Sequence, residues 1–328
     1  MSHTRENRNN SEQARFLCCP CPLKSELICL EDSIICANND CIHHAKPKGF
    51  HNLGNVPILI SFDKCDTICR PNNYIDNPYS QTDIYIKRER NQFISYLKLK
   101  LYGKSKITTK NCNTFIKLLS ENDSPRLLVI GSGTKGSGTE LLWENDKIDI
   151  TGIDIYPSNT TTYIADAHYL PFKDGVFDGV WIQAVLEHVA DPHKVVEEIK
   201  RVLKNDGMVY AETPFMQQVH EAAYDFQRFT VLGHRYLFKS FELIEMGGNR
   251  GAGVVLGWSI KYFMWAFLRN KFVATIISLP FSILFRFLDK TLDKRALYDS
   301  SSGVFFLGRK NTLDIKQNEL PSLYEGLQ

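Results

Sequence analysis

The sequence predicts an α/β fold in which a mainly parallel sheet is covered by helices on both faces. From residue 125 onward, short apolar runs alternate with segments of helical periodicity, and this alternation is typical of parallel sheets built from βαβ units. The first run, 127–130, ends at a glycine, as expected for a buried strand that turns towards a helix. The region before residue 71 is rich in cysteine instead, so we expect a second, smaller unit there.

The individual elements follow from apolar periodicity and from residues that begin or end helices. Asp191 and Pro192 are typical of a helix start, and Gly207 is expected to end that helix. Apolar faces predict earlier helices over 84–101 and around 115–119, and 139–143 can open another. The predicted strands are 127–130, 148–155, 163–164, 176–182, 208–211, 241–246 and 303–307. The last two strands are expected to be antiparallel members of the same sheet, separated by an apolar helical insertion.

Composition divides the 328-residue chain into five parts. A net charge of +2 argues against a strongly basic surface, so we do not expect a nucleic-acid partner. The polar N-terminal residues lack the pattern of a secretion signal, so we expect a cytoplasmic protein. The predicted parts are a disordered tail (1–15), a cysteine-rich module (16–70), a linker with helices (71–124), the α/β domain (125–310) with its insertion (253–298), and a polar tail (311–328).

A glycine loop after the first strand predicts a nucleotide-type cofactor. Gly131, Gly133 and Gly136 follow a strand and precede a helix, where glycines let backbone amides approach a ligand. Asp154 ends the second strand 23 positions after Gly131, where its carboxylate can accept hydrogen bonds from both ribose hydroxyls. The pattern fits a nicotinamide dinucleotide as well as S-adenosylmethionine, and a glycine-rich turn without a ligand is the structural alternative.

Residues 166–189 distinguish between these two cofactors. They contain Asp166-Ala167-His168, Leu170-Pro171-Phe172, Phe177-Asp178-Gly179-Val180-Trp181 and Val185-Leu186-Glu187-His188-Val189 in succession. This succession resembles class I methyltransferases of the large small-molecule group called type 11, over about residues 125–245. The resemblance implies a Rossmann-like, seven-stranded methyltransferase sheet with S-adenosyl-L-methionine as the cofactor.

The same resemblance implies particular cofactor contacts. The glycines would lie along the methionine part, Asp154 would hold the ribose, and Asp166 would accept a hydrogen bond from the adenine amino group; an ordinary turn aspartate is the alternative. The expected cofactor-binding residues are Gly131, Ser132, Gly133, Gly136, Asp154, Ile155, Asp166, Ala167 and Gln183. Many members carry an acidic residue two positions before the first glycine, where this chain has Val129. We therefore expect the methionine ammonium group to be held differently.

The methyl acceptor is expected at the carboxyl edge of the sheet, next to the loop that follows the fifth strand. This loop contains His220, Asp225 and Arg228, and transfer to a hydroxyl requires the acceptor to lose a proton. The candidate catalytic residues are His188, His220 and Asp225. The structural alternatives are an ion pair between Asp225 and Arg228 that only orders the loop, and a packing role for His188.

The cysteines predict a metal site. Eight of the nine lie before residue 70, which favours metal binding over disulfides in a reducing compartment. Cys18-x-x-Cys21 and Cys36-x4-Cys41 have the spacing of a four-thiolate zinc site, although Cys19 competes with Cys18, and His43 or His44 can replace a thiolate. Residues 16–62 resemble the zinc-binding domain of the tRNA-methyltransferase activator family, which implies structural zinc. Reduced cysteines without a metal are the alternative.

The insertion is aromatic, and its longest uncharged run, 272–285, has fourteen residues, fewer than the about 20 that a membrane span requires. Helices packed on the catalytic domain or on a second copy in a homodimer are one interpretation, and in-plane contact of 253–288 with the inner membrane face is the other.

We predict methyl transfer to a hydroxyl of a small molecule or a lipid-linked glycan, the glycan by analogy with proteins of similar arrangement. An NAD-dependent oxidoreductase and a non-catalytic cofactor-binding partner are the alternatives.

Overall fold

The computed structural model describes residues 15–30, 33–44, 49–71, 74 and 105–328. The predicted helix over 84–101 and almost all of the predicted N-terminal tail lie outside these residues. The described residues from 15 to 74, here called the N-terminal module, contain two small antiparallel hairpins. Their strands are β1 (Leu27–Cys29) with β2 (Ile34–Cys36), and β3 (Asn52–Leu53) with β4 (Val56–Pro57).

A seven-stranded sheet forms the centre of the molecule, and the predicted fold class is confirmed. Its strands are β5 (Arg126–Ile130), β6 (Asp149–Asp154), β7 (Tyr163–Ile164), β8 (Phe177–Gln183), β9 (Leu203–Pro214), β10 (Phe241–Gly248) and β11 (Gly303–Lys310). They lie in the order β10-β11-β9-β8-β5-β6-β7, and β5 to β9 are parallel. The last two strands belong to this sheet and are antiparallel to each other, as predicted. Because the reversed strand β11 lies between β9 and β10, its two neighbours run in the same direction.

Helices connect the strands and extend the chain beyond the sheet. The α-helices are α1 (Lys106–Leu119), α2 (Glu140–Trp143), α3 (Pro192–Val202), α4 (Val231–Leu237), α5 (Ala252–Leu268), α6 (Lys271–Leu288) and α7 (Ala296–Ser300). Short 3-10 turns span Ala167–Tyr169, Leu186–His188, Ala222–Tyr224 and Gln317–Leu323. Asp191 caps α3 by accepting a hydrogen bond from the Lys194 amide, as predicted. The helix ends before Gly207, because Leu203 already pairs with Phe177 of β8.

Both faces of the sheet are buried, which explains why residues 127–130 of β5 are all apolar instead of alternating. Val129 packs in a cluster with Phe115 of α1, on one face. Its neighbour Ile130 packs with Ile199 of α3, on the other face. Successive strand residues point to opposite faces, so each of the buried positions 127–130 needs an apolar residue.

The N-terminal module packs against the α/β domain at the β7 edge. Ile58, just after β4, forms a parallel bridge with Ile164 of β7, and the Leu59 amide donates to the Ile164 carbonyl at 2.7 Å. Lys24 of the module forms a salt bridge of 2.8 Å with Glu198 of α3. The module therefore continues the sheet beyond its edge strand.

The insertion folds as an antiparallel pair of helices, α5 and α6, here called the apolar hairpin. The two helices approach closely, since a Cβ atom added to Gly253 would lie 2.3 Å from the Phe285 carbonyl oxygen. Much of the outer surface is apolar, with Phe267 76% and Phe272 73% exposed. Among the described helices, α6 is long and apolar enough to cross a membrane by length and composition. This helix has 18 residues and is longer than the uncharged run 272–285, because it also includes the charged residues Lys271 and Arg286.

Candidate active site

A cavity of about 450 Å³ opens at the carboxyl edge of the central sheet. The loops after β5, β6, β7 and β8 line it, as does the loop that follows β9. The predicted site residues in its lining are Gly131, Gly136, Asp154, Ile155, Asp166, Ala167, Gln183, His188 and His220. Ser132, Gly133 and Asp225 lie outside the lining. The structure thus brings most of the predicted residues to one place.

The glycine positions of the loop are packed too tightly for side chains. Gly131 has a φ of +79°, and a Cβ atom there would lie 2.1 Å from Cγ2 of Val185. The Gly133 amide donates to Oδ2 of Asp154 at 2.7 Å, so the acidic residue at the end of β6 orders the loop. Ser132 is completely buried, and its amide donates to the Ile153 carbonyl at 2.9 Å.

Asp166 accepts three hydrogen bonds from the protein. The His168 amide donates to its Oδ1 at 2.9 Å and His168 Nδ1 lies 2.6 Å from the same oxygen, while the Thr67 hydroxyl donates to Oδ2. Burial opposes ionisation, but the hydrogen bonds and charge of His168 hold the pKa of Asp166 below its usual value. A carboxylate has about four acceptor positions, so these three hydrogen bonds leave one acceptor position. The residue also caps the 3-10 turn after it, which was the structural alternative.

The methionine end of the cavity has no acidic residue at the position that many members of the type 11 group use. Val129 occupies it and lines the cavity, together with Thr134, Ser137 and Thr139. Threonine and serine hydroxyls can accept hydrogen bonds from an ammonium group. A Cβ atom on Gly136 would lie 2.1 Å from Oε1 of Gln183, so the glycine loop and the end of β8 are in contact here.

The acceptor end contains Glu187, His188 and His220. Glu187 is 1% exposed, and burial raises the pKa of its carboxyl to about 8. The rings of His188 and His220 meet edge to face, with centroids 4.9 Å apart. Burial and the nearby His188 lower the pKa of His220 below 6.5. Ala184, which precedes this group, has a φ of +55°, and such strained positions often mark functional sites.

Asp225 is not brought to the cavity. Both of its oxygens accept from the Arg228 guanidinium, and Oδ2 also accepts from the His220 amide at 2.8 Å. Burial opposes ionisation, but these hydrogen bonds lower the pKa of Asp225 to about 2. The prediction that Asp225 contacts the acceptor is therefore corrected: the residue forms the loop-ordering ion pair that was the alternative.

The four-cysteine cluster differs from the prediction at one position. The thiol sulfurs of Cys19, Cys21, Cys36 and Cys41 lie within 4.8 Å of one another. Cys18, predicted as a ligand, lies outside the cluster, because it forms a backbone bridge with Glu26 and neighbours in an extended chain point to opposite sides. His43 is paired with Ser61 at 3.0 Å, and His44 Nδ1 lies 2.9 Å from the Cys36 carbonyl oxygen.

The spacing of the thiols fits a zinc ion. Sulfur atoms bound to zinc at about 2.3 Å in a tetrahedron lie about 3.8 Å apart. The sulfurs of Cys19 and Cys41 are 3.8 Å apart. All four residues are buried, and such an arrangement of thiols suits structural zinc more than a reactive cysteine.

Comparisons with known proteins agree with this geometry. Residues 128–211 match the family model described as a methyltransferase domain. The chain is 30% identical over 111 residues to the ubiquinone/menaquinone biosynthesis C-methyltransferase of Citrifermentans bemidjiense, covering 29% of this chain and 47% of that protein. It is 27% identical over 109 residues to the demethylmenaquinone methyltransferase of Thermotoga maritima, covering 30% and 48%. A crystal structure of a SAM-dependent methyltransferase from Archaeoglobus fulgidus aligns with a TM-score of 0.41 and 15% identity, covering 66% of this chain and all of that one.

Residues 128–211 lie within the part of the chain that forms the seven-stranded sheet and match the model of a methyltransferase domain. The matched segment runs from β5 into β9 and contains the glycine loop, Asp154 and Asp166. These matches support S-adenosylmethionine over the nicotinamide alternative. The chain spans about half the length of the two curated relatives.

Four residues at the site were missed by the sequence reasoning. Ile68 lines the cavity, Thr67 contacts Asp166, and the Tyr74 hydroxyl donates to the Ile155 carbonyl at 2.7 Å. No local pattern indicates these contacts, because they join segments about 80 to 100 positions apart. Glu187 did have a signal, since it is a charged residue within an otherwise apolar run beside His188.

Proposed function

We propose that the protein transfers a methyl group from S-adenosylmethionine to a hydroxyl of a lipid-linked acceptor, such as a lipid-linked glycan. The observation that carries this proposal is the continuity of the cavity. Asp154 and Asp166 line its cofactor end, and His188 and His220 line its other end. Methyl transfer requires the acceptor oxygen to lie about 3 Å from the methyl group and in line with the sulfur. One open cavity can hold both partners in this way.

The apolar hairpin supports a lipid-linked acceptor over a freely soluble one. Gln218 Nε2 donates to the Ser259 hydroxyl at 3.1 Å, and the Tyr262 hydroxyl donates to the Val219 carbonyl at 3.2 Å. The loop that carries His220 is thus hydrogen-bonded to α5. The exposed aromatic surface of the hairpin can contact the lipid part of the acceptor.

Basic residues beside the hairpin favour contact with an anionic membrane surface. Arg269 lies between α5 and α6, and Lys271 Nζ lies 4.8 Å from the Trp265 ring centroid. Near the other end, Lys290 Nζ lies 5.1 Å from the Phe287 ring. Basic groups at headgroup level with aromatic rings below them are typical of helices that lie in a membrane interface. We therefore propose contact with the inner face of the membrane.

The acceptor proposal is tested with S-adenosylmethionine that carries a tritiated methyl group. The full chain is incubated with a detergent extract of membranes, and the products are partitioned between organic and aqueous phases. Label in the organic phase that hydriodic acid releases as methyl iodide is the expected result, because this reagent cleaves methyl ethers. Label confined to water-soluble products would contradict a lipid-linked acceptor.

A carbon acceptor is the second candidate, favoured by the names of the two curated relatives. The Citrifermentans bemidjiense protein is described as a C-methyltransferase, and the Thermotoga maritima protein as acting on demethylmenaquinone. A methyl group on carbon resists hydriodic acid. Organic-soluble label that the acid does not release would therefore favour this candidate over the hydroxyl.

Membrane contact is tested separately with sedimented vesicles. We expect the protein to sediment with phosphatidylglycerol vesicles at low salt and much less with phosphatidylcholine vesicles. Phe267→Ser and Phe272→Ser remove exposed rings from the hairpin and should reduce binding. Leu313→Ser is the matched control, because Leu313 is equally exposed (76%) but lies outside the hairpin. Equal binding by all three variants and the unaltered protein would contradict the proposal.

A further inference from the structure

Glu187 is a buried carboxylate without a hydrogen-bond partner. It is 1% exposed, and neither of its side-chain oxygens has a partner in the described part of the chain. Its backbone carbonyl accepts hydrogen bonds from the Phe226 amide at 2.8 Å and from the Gln227 amide at 3.3 Å. A buried carboxyl stays protonated unless a positive charge or a metal ion compensates the carboxylate. The groups that face its oxygens therefore decide whether it carries a charge.

Two imidazole nitrogens point at this carboxylate. Nε2 of His188 lies 3.7 Å from Glu187 Oε1, and Nε2 of His220 lies 3.8 Å from the same oxygen. These distances are too long for hydrogen bonds. They are close to those between ligands of one ion, since two atoms bound at about 2.1 Å and at the tetrahedral angle lie about 3.4 Å apart. All three ligand atoms lie within 4.8 Å of one another.

The other nitrogen of each ring faces an oxygen atom of the protein. His188 Nδ1 lies 2.7 Å from the Tyr224 carbonyl oxygen, to which it can only donate. His220 Nδ1 lies 3.2 Å from Oδ2 of Asp225, and Arg228 fixes that carboxylate. Histidines that bind metals usually donate their second N–H to a carbonyl or a carboxylate, which leaves the first nitrogen with a lone pair for the ion. The ring of His188 meets this condition, whereas Nδ1 of His220 faces the Asp225 carboxylate without a hydrogen bond to it.

We propose that Glu187, His188 and His220 bind one divalent transition-metal ion at the acceptor end of the cavity. Two histidines and one carboxylate occupy three positions and leave others open for a substrate oxygen. His188 and His220 line the cavity, so an oxygen of the acceptor can reach the open positions. This ligand set suits zinc, iron, cobalt or nickel more than magnesium or calcium, which prefer oxygen ligands.

The role of the ion rests on the proposed function, whereas its binding does not. An acceptor hydroxyl bound to the ion loses its proton to solvent more readily than a free one. The oxygen lone pair then attacks the methyl carbon. The bond between sulfur and the methyl carbon breaks, and its electron pair stays on sulfur. The products are a methyl ether, a proton and uncharged S-adenosylhomocysteine. His188 and His220 thus hold the acceptor through the ion instead of removing its proton directly.

The test uses Co²⁺ with the full chain, after the four-cysteine cluster has been loaded with zinc. We expect one further equivalent of Co²⁺ to bind, with visible d–d absorption and without thiolate-to-cobalt charge transfer. Glu187→Gln keeps the shape of the side chain and should weaken Co²⁺ binding at least about 10-fold, as should His220→Ala. His193→Ala is the matched control, because His193 is exposed on α3, and it should bind as the unaltered protein does.

Circular dichroism verifies the fold of each variant, and binding of S-adenosylhomocysteine is measured on the same samples. Failure of the zinc-loaded protein to bind Co²⁺ would overturn the metal site, and so would equal affinity in all variants. If S-adenosylhomocysteine still binds in that case, the methyltransferase assignment stands without the metal. Binding of Co²⁺ without binding of S-adenosylhomocysteine would support the metal site and contradict the proposed function.

Discussion

The hydroxyl of Thr67, in the N-terminal module, donates a hydrogen bond to the carboxylate of Asp166, at the carboxyl edge of the methyltransferase sheet. Tyr74 of the same segment binds the Ile155 carbonyl, and Ile68 between them lines the cavity. The segment after the cysteine cluster thus forms one wall of the expected adenine end of the site. The module is therefore in a position to influence cofactor binding as well as stability.

Replacing Thr67 with valine should weaken the binding of S-adenosylhomocysteine about fivefold. The change removes one hydrogen bond to a charged group while keeping the shape of the side chain, and such a bond contributes about 1 kcal/mol or somewhat more. Isothermal titration measures the affinity. Thr312→Val is the control, since Thr312 is exposed in the C-terminal segment. Equal affinities of the two variants would show that the module does not support the site.

Gly131→Ala should abolish cofactor binding while the protein stays folded. The added Cβ atom would meet Val185 at 2.1 Å, and the left-handed backbone at +79° disfavours alanine as well. Gly175→Ala separates these effects, because Gly175 has a φ of +65° with nothing within 4 Å of the added atom. Both variants should lose about 1 kcal/mol of stability through the backbone. Only Gly131→Ala should lose the cofactor, as measured by titration; retained binding would contradict the assignment of the loop.

Zinc analysis of two neighbouring cysteine variants tests the ligand set. Cys19→Ala should reduce the zinc content from one ion per chain to a small fraction, because it removes one of four clustered thiols. Cys18→Ala should retain the zinc, although Cys18 is also buried. Metal analysis of both purified proteins by mass spectrometry gives the answer. Loss of zinc from the Cys18 variant alone would restore the original prediction, and no zinc in the unaltered protein would remove the metal altogether.

His234 should make the stability of the protein fall in acid. The ring lies in α4 between Phe229 and Phe238, and burial lowers its pKa from 6.5 to about 3. Between these values the unfolded chain binds one proton more than the folded protein. The free energy of unfolding should therefore fall by about 1.4 kcal/mol for each pH unit below 6.5 through this residue.

Urea unfolding of the unaltered protein and of His234→Leu, from pH 7 to pH 4.5, measures this contribution. The variant should show a shallower dependence on pH, by one proton. Identical slopes for the two proteins would mean that His234 is protonated without penalty and is not buried as the structure places it.

Features set by neighbouring residues could be predicted from the sequence. Short apolar runs predict the strands of the sheet. The preference of helix N-termini for aspartate predicts the cap at Asp191, and the distance of Asp154 from the glycine loop predicts its place at the site. The choice of Cys19 over Cys18 could not be predicted, because it depends on which side of an extended segment faces the cluster. The contact of Thr67 with Asp166 joins distant parts of the chain, and the direction of β10 depends on the position of β11.

Titration of the full chain with S-adenosylhomocysteine, S-adenosylmethionine and NAD tests the central assignment most directly. We predict that both sulfur compounds bind once per chain, that each displaces the other, and that NAD does not compete. Asp154→Ala should weaken their binding at least about 10-fold, because its carboxylate is expected to hold the ribose and orders the loop at Gly133. Tight binding of NAD without binding of either sulfur compound would contradict the assignment.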